Sequence, residues 1–497
     1  MNAAFKRIFA ALLLASVSAT IGCGGEAAGT DTTAAGESGD VTTAPAEIPL
    51  DEINRENAVL GLPELDFKET VINILYPGED VYAQDIVAEQ TGEVVDEAVF
   101  ARNIAIEELL NVKLNPITVT TSTNETSQHL ATTVLAGEDA YDLCSVHQAY
   151  TVKLISEGYF ANFADDPYID WEKPWWNTEY MEEMVVGDDR IYFLIGDISL
   201  MCMKSLACIY YNKDMYEKLY GDRDELYDIV FDGKWTFDKF DKYTREAYSD
   251  LNGNSVVDKG DRFGAYGSKG GKSVEHYVYG AGITTTTKNK DGIPELTMYN
   301  EKSIGFTELL RKLYYENEGF THAASDTFKD EIAAFVSGEY LFAPTWFRHA
   351  DQFREMETDY GIICMPKYDE KDDYTTLVHN GTTIYVSPVT TKKFDMVGAV
   401  CEAMAFYNYK SVTPAYYEVA LKVKYSRDDV TSQMLDLINA SAFTNFGYVY
   451  ASLMDSLPYF RQFVSGGADD FASWYAGKEA AALTALQNLI DLYKGID

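Results

Sequence analysis

The chain has 497 residues, which is too long for one hydrophobic core and predicts at least two lobes. Hydrophobic residues make up 46% of it, so the lobes have enough apolar material to be globular. The formal net charge of -39 argues against nucleic acid and anionic membrane surfaces as partners, because both are bound mainly through Lys and Arg.

The first residues have the pattern of an export signal. A short basic start, "KR", precedes an apolar stretch at 8–21 that is too short to span a bilayer comfortably. A Gly-Cys pair ending at Cys23 follows, and the whole pattern resembles a bacterial lipoprotein signal, in which the cysteine carries lipid after cleavage. Thr20 stands where that signal usually has Leu. We predict a signal peptide over 1–22 and lipidation of Cys23; the alternative is an ordinary secretory signal with a chance cysteine.

Residues 24–50 are small, polar and almost free of large apolar side chains, so they cannot fold alone. As a flexible coil this stretch would span roughly 30 Å, enough to hold a folded body away from a membrane. The sequence therefore predicts a lipidated cysteine and a flexible tether over 23–60. It places the protein outside the cytoplasm, attached to the outer face of the bacterial cell membrane through the lipid anchor only.

Strands and helices alternate in the next part of the chain. Periodicity predicts strands at "ETVINILYP", "NVKLNPITV" and "AYDLCSVH", and helices at "VDEAVFARNIAIEELLNV", "QHLATTVLAG" and "YTVKLISEGYFANF". Such alternation predicts a parallel sheet covered by helices on both faces. Ligands of such sheets bind beyond the C-terminal ends of the strands, so the loops after Tyr76 and Cys144 are candidate sites.

The same pattern recurs later in the chain. It predicts a strand entering a helix at "SLACIYYNKDMYEKLYG" and a helix, a glycine turn and a strand at "EIAAFVSGEYLFAPTWF". Further strands are predicted at "DYGIICMPKY" and "TTIYVSP", and the C-terminal third is predicted to be mostly helical.

A stretch at 249–264, "SDLNGNSVVDKGDRFG", has oxygen atoms at the spacing of a calcium loop. Ser255 replaces the usual glycine of loop position 6, and the last ligand is Asp rather than Glu. We predict one structural Ca²⁺ in lobe two; the alternative is an Asx-rich surface turn without an ion. The predicted ligands at loop positions 1, 3, 5, 7, 9 and 12 are Asp250, Asn252, Asn254, the carbonyl of Val256, Asp258 and Asp261.

Motifs for enzyme chemistry are missing from the sequence. "GSKGGKS" lacks the first glycine of a phosphate loop, and no HExxH, GxSxG or GxGxxG motif occurs. The six histidines are scattered, and the five cysteines after Cys23 are odd in number without a CxxC motif. We expect these cysteines to be small buried side chains. The alternative is one disulfide bridge between Cys202 and Cys208. The chain is thus predicted not to be an enzyme and to hold no organic cofactor. The alternative is a glycosidase that uses a pair of carboxylates.

Several segments together resemble extracellular solute-binding protein family 1, the receptor component of bacterial ABC importers for sugars. No single segment decides the resemblance, but their order along the chain matches that of the family. The segments are "DIVAEQTGEVVDEAVFARNIAIEELLNV", "YDLCSVHQAYTVKLISEGYFANF", "IYFLIGDISLMCMKSLACIYYNKDMY", "DGKWTFDKF", "FVSGEYLFAPTWF", "DYGIICMPKYDE", "VHNGTTIYVSP" and "PAYYEVALKVKYSRDD".

The resemblance implies an α/β, two-lobe periplasmic-binding-protein-like fold of type II, similar to the maltose receptor. Its lobes would be joined by crossing segments and would close on the ligand about a hinge. The crossing segments are expected near 198–210, 378–390 and 440–453. Lobe one is expected at 61–203 and 388–445, and lobe two at 204–387 and 446–497.

The resemblance also implies a sugar site in which aromatic rings stack on pyranose faces and planar polar groups pair with hydroxyls. Trp346, after the "FVSGEYLF" segment, is the expected stacking ring, with a core position as the alternative. Asp197 is expected at the first crossing segment, with a turn-capping role as the alternative. The remaining candidates are His147, Gln148, Tyr150, Tyr76, Glu79, Trp175, Trp176, Asn380 and Tyr448.

The function that follows from the resemblance is capture of a carbohydrate, specifically an oligosaccharide, for delivery to an ABC importer. The expected partners are the carbohydrate and the permease subunits of the transporter, and the receptor itself is expected to be a monomer. Two other classes stay open: a surface-attached glycan-active enzyme, and a lipoprotein that docks on polysaccharide without delivering sugar to a transporter.

Overall fold

The computed structural model describes residues 53–187, 190–325, 327–353, 356–417 and 429–496. The predicted signal peptide, Cys23 and nearly all of the tether lie outside these ranges. Within the described ranges, no helix is both long enough and apolar enough to cross a membrane.

Strands in the described part form two larger sheets, of four and three strands, and several two-stranded pairs. In chain order they are β1 (Thr70–Leu75), β2 (Val112–Ile117), β3 (Leu143–His147), β4 (Ala207–Asn212), β5 (Ala265–Gly267), β6 (Thr286–Lys288), β7 (Pro294–Leu296), β8 (Phe320–His322), β9 (Phe342–Trp346), β10 (Tyr360–Ile363), β11 (Thr376–Leu377), β12 (Thr383–Val386) and β13 (Ala442–Phe443).

Helices cover the sheets and make up most of the C-terminal part. In chain order they are α1 (Asp80–Ala83), α2 (Val94–Leu110), α3 (Thr123–Leu135), α4 (Gln148–Ser156), α5 (Thr178–Met184), α6 (Leu200–Lys204), α7 (Lys213–Tyr220), α8 (Glu225–Phe231), α9 (Phe237–Ala247), α10 (Ser273–Gly280), α11 (Glu301–Glu316), α12 (Lys329–Val336), α13 (Ala350–Phe353), α14 (Phe394–Tyr407), α15 (Asp429–Ala440), α16 (Phe446–Val449), α17 (Phe460–Ser465), α18 (Phe471–Ala476) and α19 (Glu479–Lys494).

The first sheet has the strand order β12-β3-β1-β2. Strand β1 pairs in parallel with β2 and β3, with Ile72 opposite Leu114. Helix α2 packs against α14 on this lobe, because its apolar residues recur at helical spacing. The three predicted strands and three predicted helices of this region are confirmed. The predicted parallel pairing is confirmed for β2, β1 and β3, and β12 adds an antiparallel strand at the edge next to β3.

The second sheet has the order β10-β4-β9, and both pairings are antiparallel. Every residue of β4 is buried, as expected for a central strand. Strands β9 and β10 both run against the direction of β4. The helix, turn and strand predicted around Gly338 are confirmed, and this glycine has the positive φ of 81° that ends helix α12.

Three chain segments run side by side between the two sheets. Leu206, just before β4, bridges to Val378, and β11 pairs in parallel with β13. Strand β12 then joins the first sheet, although the predicted boundary at 387/388 assigns it to lobe two. We therefore propose that lobe one resumes before β12, since its backbone hydrogen bonds are with β3.

All five cysteines of the described chain are free thiols. Cys144, Cys208, Cys364 and Cys401 are buried, as expected for small apolar side chains. Cys202 and Cys208 form no bridge.

Candidate functional site

Trp346 lies at the C-terminal end of β9 and is only 1% exposed. Three histidine rings meet the indole edge-on: His276 at 5.0 Å, His349 at 5.4 Å and His379 at 4.9 Å between ring centroids. They come from helix α10, from the 3-10 helix after β9 and from the second crossing segment. The fold therefore brings together three histidines that are scattered along the sequence.

A fourth histidine approaches from the other lobe. His147 ends β3 of the first sheet, and its ring lies 4.6 Å from that of Tyr150. Gly381 separates His147 from His379: a Cβ at this position would lie 2.6 Å from the His379 ring and 3.0 Å from Nε2 of His147. The absence of a side chain at Gly381 thus allows the two rings to approach. We call His147, His276, His349 and His379 the histidine cluster.

Arg348 covers one face of the Trp346 ring, with its guanidinium carbon 4.5 Å from the ring centroid. The guanidinium also lies within hydrogen-bonding reach of the Tyr82 hydroxyl, which belongs to lobe one. That hydroxyl donates to the carbonyl of Gly381 at 2.9 Å. The indole face covered by Arg348 is open to a sugar ring only after Arg348 moves. Sequence reasoning missed Arg348, whose one signal was its place two residues after Trp346.

Several buried nitrogens around Trp346 have no hydrogen-bond partner among the described residues. They are Nδ1 of His147, both ring nitrogens of His276, Nε2 of His379 and Nε1 of Trp346. Nδ1 of His379 accepts a hydrogen bond from the Gly381 N–H at 2.9 Å, so Nε2 carries the proton in the neutral ring. An unpaired buried polar group costs about 1–3 kcal/mol, so a ligand that pairs with these atoms would be favoured here.

The histidine cluster is neutral and lies beside cations. Burial lowers the pKa of His147, His276 and His349 to about 3, and that of His379 well below its ordinary value. The positive charges of Arg348 and Lys272 act in the same direction on three of these rings. The cluster is therefore a group of uncharged hydrogen-bonding rings in a locally positive environment.

Asn380 and Tyr448 lie next to the cluster but bond to each other and to neighbouring residues. The N–H of Asn380 donates to the Tyr448 hydroxyl at 3.2 Å, and its side-chain amide donates to the Tyr459 hydroxyl at 3.3 Å. Gln148 is likewise buried, and its side-chain oxygen accepts from the Tyr180 hydroxyl at 2.9 Å. These three predicted residues lie beside the cluster, and their polar atoms already form hydrogen bonds within the protein.

Tyr150 is 47% exposed beside His147, so its ring remains accessible. Glu79 is exposed and acts electrostatically on Arg348 and Tyr82. Tyr76 is half-buried at the end of β1, where its N–H donates to the carbonyl of Ile117. Glu79 and Tyr150 thus border the histidine cluster on the lobe-one side.

Asp197, Trp175 and Trp176 lie within lobe one. The Asp197 carbonyl accepts from the Asn408 side chain at 2.8 Å, and burial raises the pKa of its carboxyl group. Trp175 packs edge-on against Phe406, and Nε1 of Trp176 donates to Glu402 at 2.9 Å. Both indoles therefore contact helix α14, in the core of lobe one, and the structure does not group them with the histidine cluster.

The predicted calcium loop is closed by its own hydrogen bonds. Asp250 accepts from the N–H groups of Gly253 at 2.6 Å and Ser255 at 2.8 Å. Asp258 accepts from the side-chain amides of Asn252 at 2.8 Å and Asn254 at 2.7 Å. Further along, Asp261 accepts from the N–H of Leu251 at 3.3 Å, and the N–H of Val256 donates to Asn254 at 2.7 Å.

The side-chain amide nitrogens of Asn252 and Asn254, rather than their oxygens, face Asp258. Binding of Ca²⁺ would require both Asn amides to reverse, so that their oxygens and Asp258 share the ion. Ser255 has a φ of 59°, the left-handed conformation that calcium loops usually assign to glycine at this position. Over the ranges the structure describes, no three or more His, Cys, Asp and Glu side chains are placed to hold a metal ion.

Several solved structures with a similar fold are of binding proteins of ABC transporters. The galacto-N-biose/lacto-N-biose I-binding protein of the ABC transporter from Bifidobacterium longum is 13% identical with a TM-score of 0.57, covering 85% of this chain and 98% of its own. An ABC transporter solute-binding protein from Thermotoga lettingae, bound to α-D-tagatose, is 13% identical with a TM-score of 0.54, covering 85% and 100%. M. tuberculosis UspC is 16% identical with a TM-score of 0.54, covering 84% and 100%.

No family model matches the sequence, and no curated protein matches it either. At these identities the structural similarity establishes the fold alone. It nevertheless extends over nearly the whole length of the solved proteins, including the maltodextrin-binding type of receptor. The chain therefore has the two-lobe, maltose-receptor-like α/β fold of solute-binding proteins of ABC transporters, which confirms at the level of the fold the resemblance seen in the sequence.

Proposed function

We propose that this protein is an extracytoplasmic receptor that captures a carbohydrate, specifically an oligosaccharide, and delivers it to an ABC importer. The observation that carries the proposal is the convergence of unpaired buried nitrogens from both lobes at the histidine cluster. Sugars are rich in hydroxyl groups that donate and accept hydrogen bonds, so they suit such a site. Tyr150, exposed beside His147, offers an aromatic face for a pyranose ring.

The sugar-binding proteins of similar fold support binding rather than catalysis. A neutral imidazole with a pKa near 3 is a weak base, and a general acid or base works best with a pKa near the working pH. The histidine cluster is therefore better suited to holding hydroxyl groups than to transferring protons.

The mode of attachment is a further part of the proposal. A lipid on Cys23 and a tether over 23–60 would keep the folded lobes at the outer face of the cell membrane. From there a monomeric receptor reaches the permease subunits of its transporter. The support for this arrangement is the basic, apolar and Gly-Cys pattern of the sequence.

Calcium binding by the loop at 249–264 also remains a proposal. It is supported by the spacing of the oxygen atoms and by the left-handed backbone at Ser255. The proposed ion would stabilise lobe two without touching the sugar, because the loop and the histidine cluster have no residue in common.

A thermal-shift screen of the mature chain against mono- and oligosaccharides tests the proposed function. A ligand at 100 times its dissociation constant should add roughly 2.7 kcal/mol to the stability of the folded state. Stabilisation by soluble saccharides, without their hydrolysis, is the expected result. Hydrolysis of glycosides would instead favour the enzyme, and binding to insoluble glycan alone would favour the docking lipoprotein.

A further inference from the structure

Positive charge is concentrated where the two lobes meet. Arg348 is held between the Trp346 ring and the Tyr82 hydroxyl, and within the described chain no carboxylate forms an ion pair with it. Glu79 acts on Arg348 only as a nearby charge. Lys272, just before helix α10, contributes a second positive charge to the surroundings of His147, His276 and His379.

Another cation near the cluster, Arg461, is already paired with a carboxylate. Arg461 lies over the Tyr459 ring at 3.5 Å and forms an ion pair with Glu275 at 3.5 Å. Among the residues that the structure describes, the partly buried Arg348 has no such partner, although burial of a guanidinium without a counter-ion is unfavourable. This contrast indicates that Arg348 is the cation with which an anionic group of the ligand would pair.

The unpaired nitrogens favour a ligand that accepts hydrogen bonds. Nε1 of Trp346 can only donate, and the proton on Nε2 of His379 makes that atom a donor as well. A neutral His276 adds one N–H, since neither of its ring nitrogens has a partner. At least three donors therefore lie on or beside one indole, whose face is covered by a guanidinium that has no carboxylate partner in the described chain.

We propose that the captured saccharide is acidic, and that its carboxylate or sulfate group binds to Arg348 and to the N–H donors of Trp346, His276 and His379. The proposal rests on the proposed function, because it names the chemical class of the sugar that the same site takes. A guanidinium can bind two oxygens of a carboxylate or of a sulfate group through paired hydrogen bonds. The Trp346 ring beneath Arg348 holds the guanidinium plane in position for this contact.

The net charge of -39 does not oppose an anionic ligand at this site. Solvent-exposed charges are screened over about 8 Å at physiological ionic strength, whereas a buried guanidinium is screened far less. The local charge at the histidine cluster therefore decides which ligand binds, and the acidic surface decides solubility.

A glycan array tests this inference directly. It would present mono- to tetrasaccharides in neutral, carboxylated and sulfated forms to the mature chain, and the affinities of matched neutral and acidic pairs would follow by calorimetry. We expect the acidic member of a pair to bind at least tenfold more tightly than the neutral one. Its affinity should decrease as salt is added. Neutral saccharides that bind as tightly as their acidic forms would overturn the acidic class and leave the proposed function intact. If no saccharide binds at all, both the acidic class and the proposed function are contradicted.

Variants of Arg348 locate the charge recognition. Arg348→Gln should abolish the preference for the acidic member, whereas Arg348→Lys should retain part of it, because it keeps the charge and loses the planar fork. Arg245→Gln is the matched control, since Arg245 lies on the exposed side of α9 with Asp241, and it should keep the full preference. Trp346→Phe retains an aromatic ring but removes the Nε1–H donor. It should lower the affinity for the acidic saccharide less than Arg348→Gln does. An unchanged preference in folded Arg348→Gln protein would contradict the assignment.

Discussion

The guanidinium carbon of Arg348 lies 4.5 Å from the centre of the Trp346 ring, over the aromatic face. This contact joins the last residue of β9 to the residue that reaches Tyr82 in lobe one. It gives Trp346 two roles, as part of the core of lobe two and as the platform for a charged group at the junction of the lobes.

Trp346→Ala should lower both stability and affinity. The ring is fully buried among histidines, so its removal should cost about 3–5 kcal/mol of unfolding free energy, measured by urea denaturation. Trp175→Ala is the matched control, because Trp175 is equally buried within lobe one. It should destabilise the protein by a similar amount and leave the saccharide dissociation constant of the folded fraction unchanged. A loss of saccharide affinity in the Trp175→Ala control would show that Trp175 takes part in binding.

Gly381→Ala should disturb the contact between His147 and His379. The added Cβ would lie 2.6 Å from the His379 ring, and relief of this overlap should cost about 1–3 kcal/mol in thermal or chemical unfolding. Gly61→Ala is the control, since nothing lies within 4 Å of its added Cβ. Equal stability of the two variants would show that the histidines move apart without cost.

The neutral histidine cluster should make stability depend on pH below about 6.5. Burial, with the positive charges of Arg348 and Lys272, lowers the pKa of His276 from 6.5 to about 3, so between these values the unfolded chain binds the proton more readily. The contribution of His276 to stability is therefore present above pH 6.5 and lost as the pH falls through that range. His276→Gln removes this proton uptake.

The measurement is the unfolding free energy of the parent and of His276→Gln between pH 7 and 5. The stability of the parent relative to the variant should fall by about 1.4 kcal/mol per pH unit below 6.5. Glu402, whose pKa burial raises to about 7, changes stability in the opposite direction in both proteins and cancels in the difference. A difference that does not vary with pH would mean that His276 is not desolvated.

Calcium should raise the melting temperature if the loop at 249–264 binds it. A chelator should then lower the melting temperature, and Ca²⁺ should restore it far better than Mg²⁺, which requires a tighter octahedral site. Asp250→Ala should abolish the response to chelator, because it removes the ligand at position 1. Saccharide affinity should change by less than about tenfold. Melting that ignores chelator and calcium would identify the loop as an Asx-rich turn.

Cys23→Ser should release the protein from membranes or block its processing, because the lipid would have no attachment point. Membrane fractionation and the mass of the mature N-terminus measure this outcome. A variant that is cleaved and fractionates like the parent would show that the signal is an ordinary secretory one.

The elements with strong local periodicity were predictable from the sequence. Strand β1 and helix α2 follow from apolar spacing, and the turn at Gly338 follows from a glycine between a helix and a strand. The antiparallel order of β10-β4-β9 was not predictable, because strand direction depends on which distant segments pair.

The candidate site was predictable only in part. The family resemblance pointed to Trp346 and His147, but His276, His349 and Arg348 were not selected. These residues come from two segments of lobe two that are far apart in the chain, and the local sequence of each segment does not show that the fold brings them together. Trp175 and Trp176 show the converse, because adjacent aromatic residues in a loop are consistent with either a core or a cleft until Glu402 and Phe406 are placed beside them.

Hydrogen–deuterium exchange with and without the tightest-binding saccharide tests most directly that the sugar is held between the lobes. Protection is expected in both lobes at once, in the segments that carry His147, His276, Trp346 with Arg348, and Asn380. The calcium loop at 249–264 should exchange at the same rate in both states. Protection confined to one lobe, or located away from these four segments, would contradict the binding of carbohydrate at the histidine cluster.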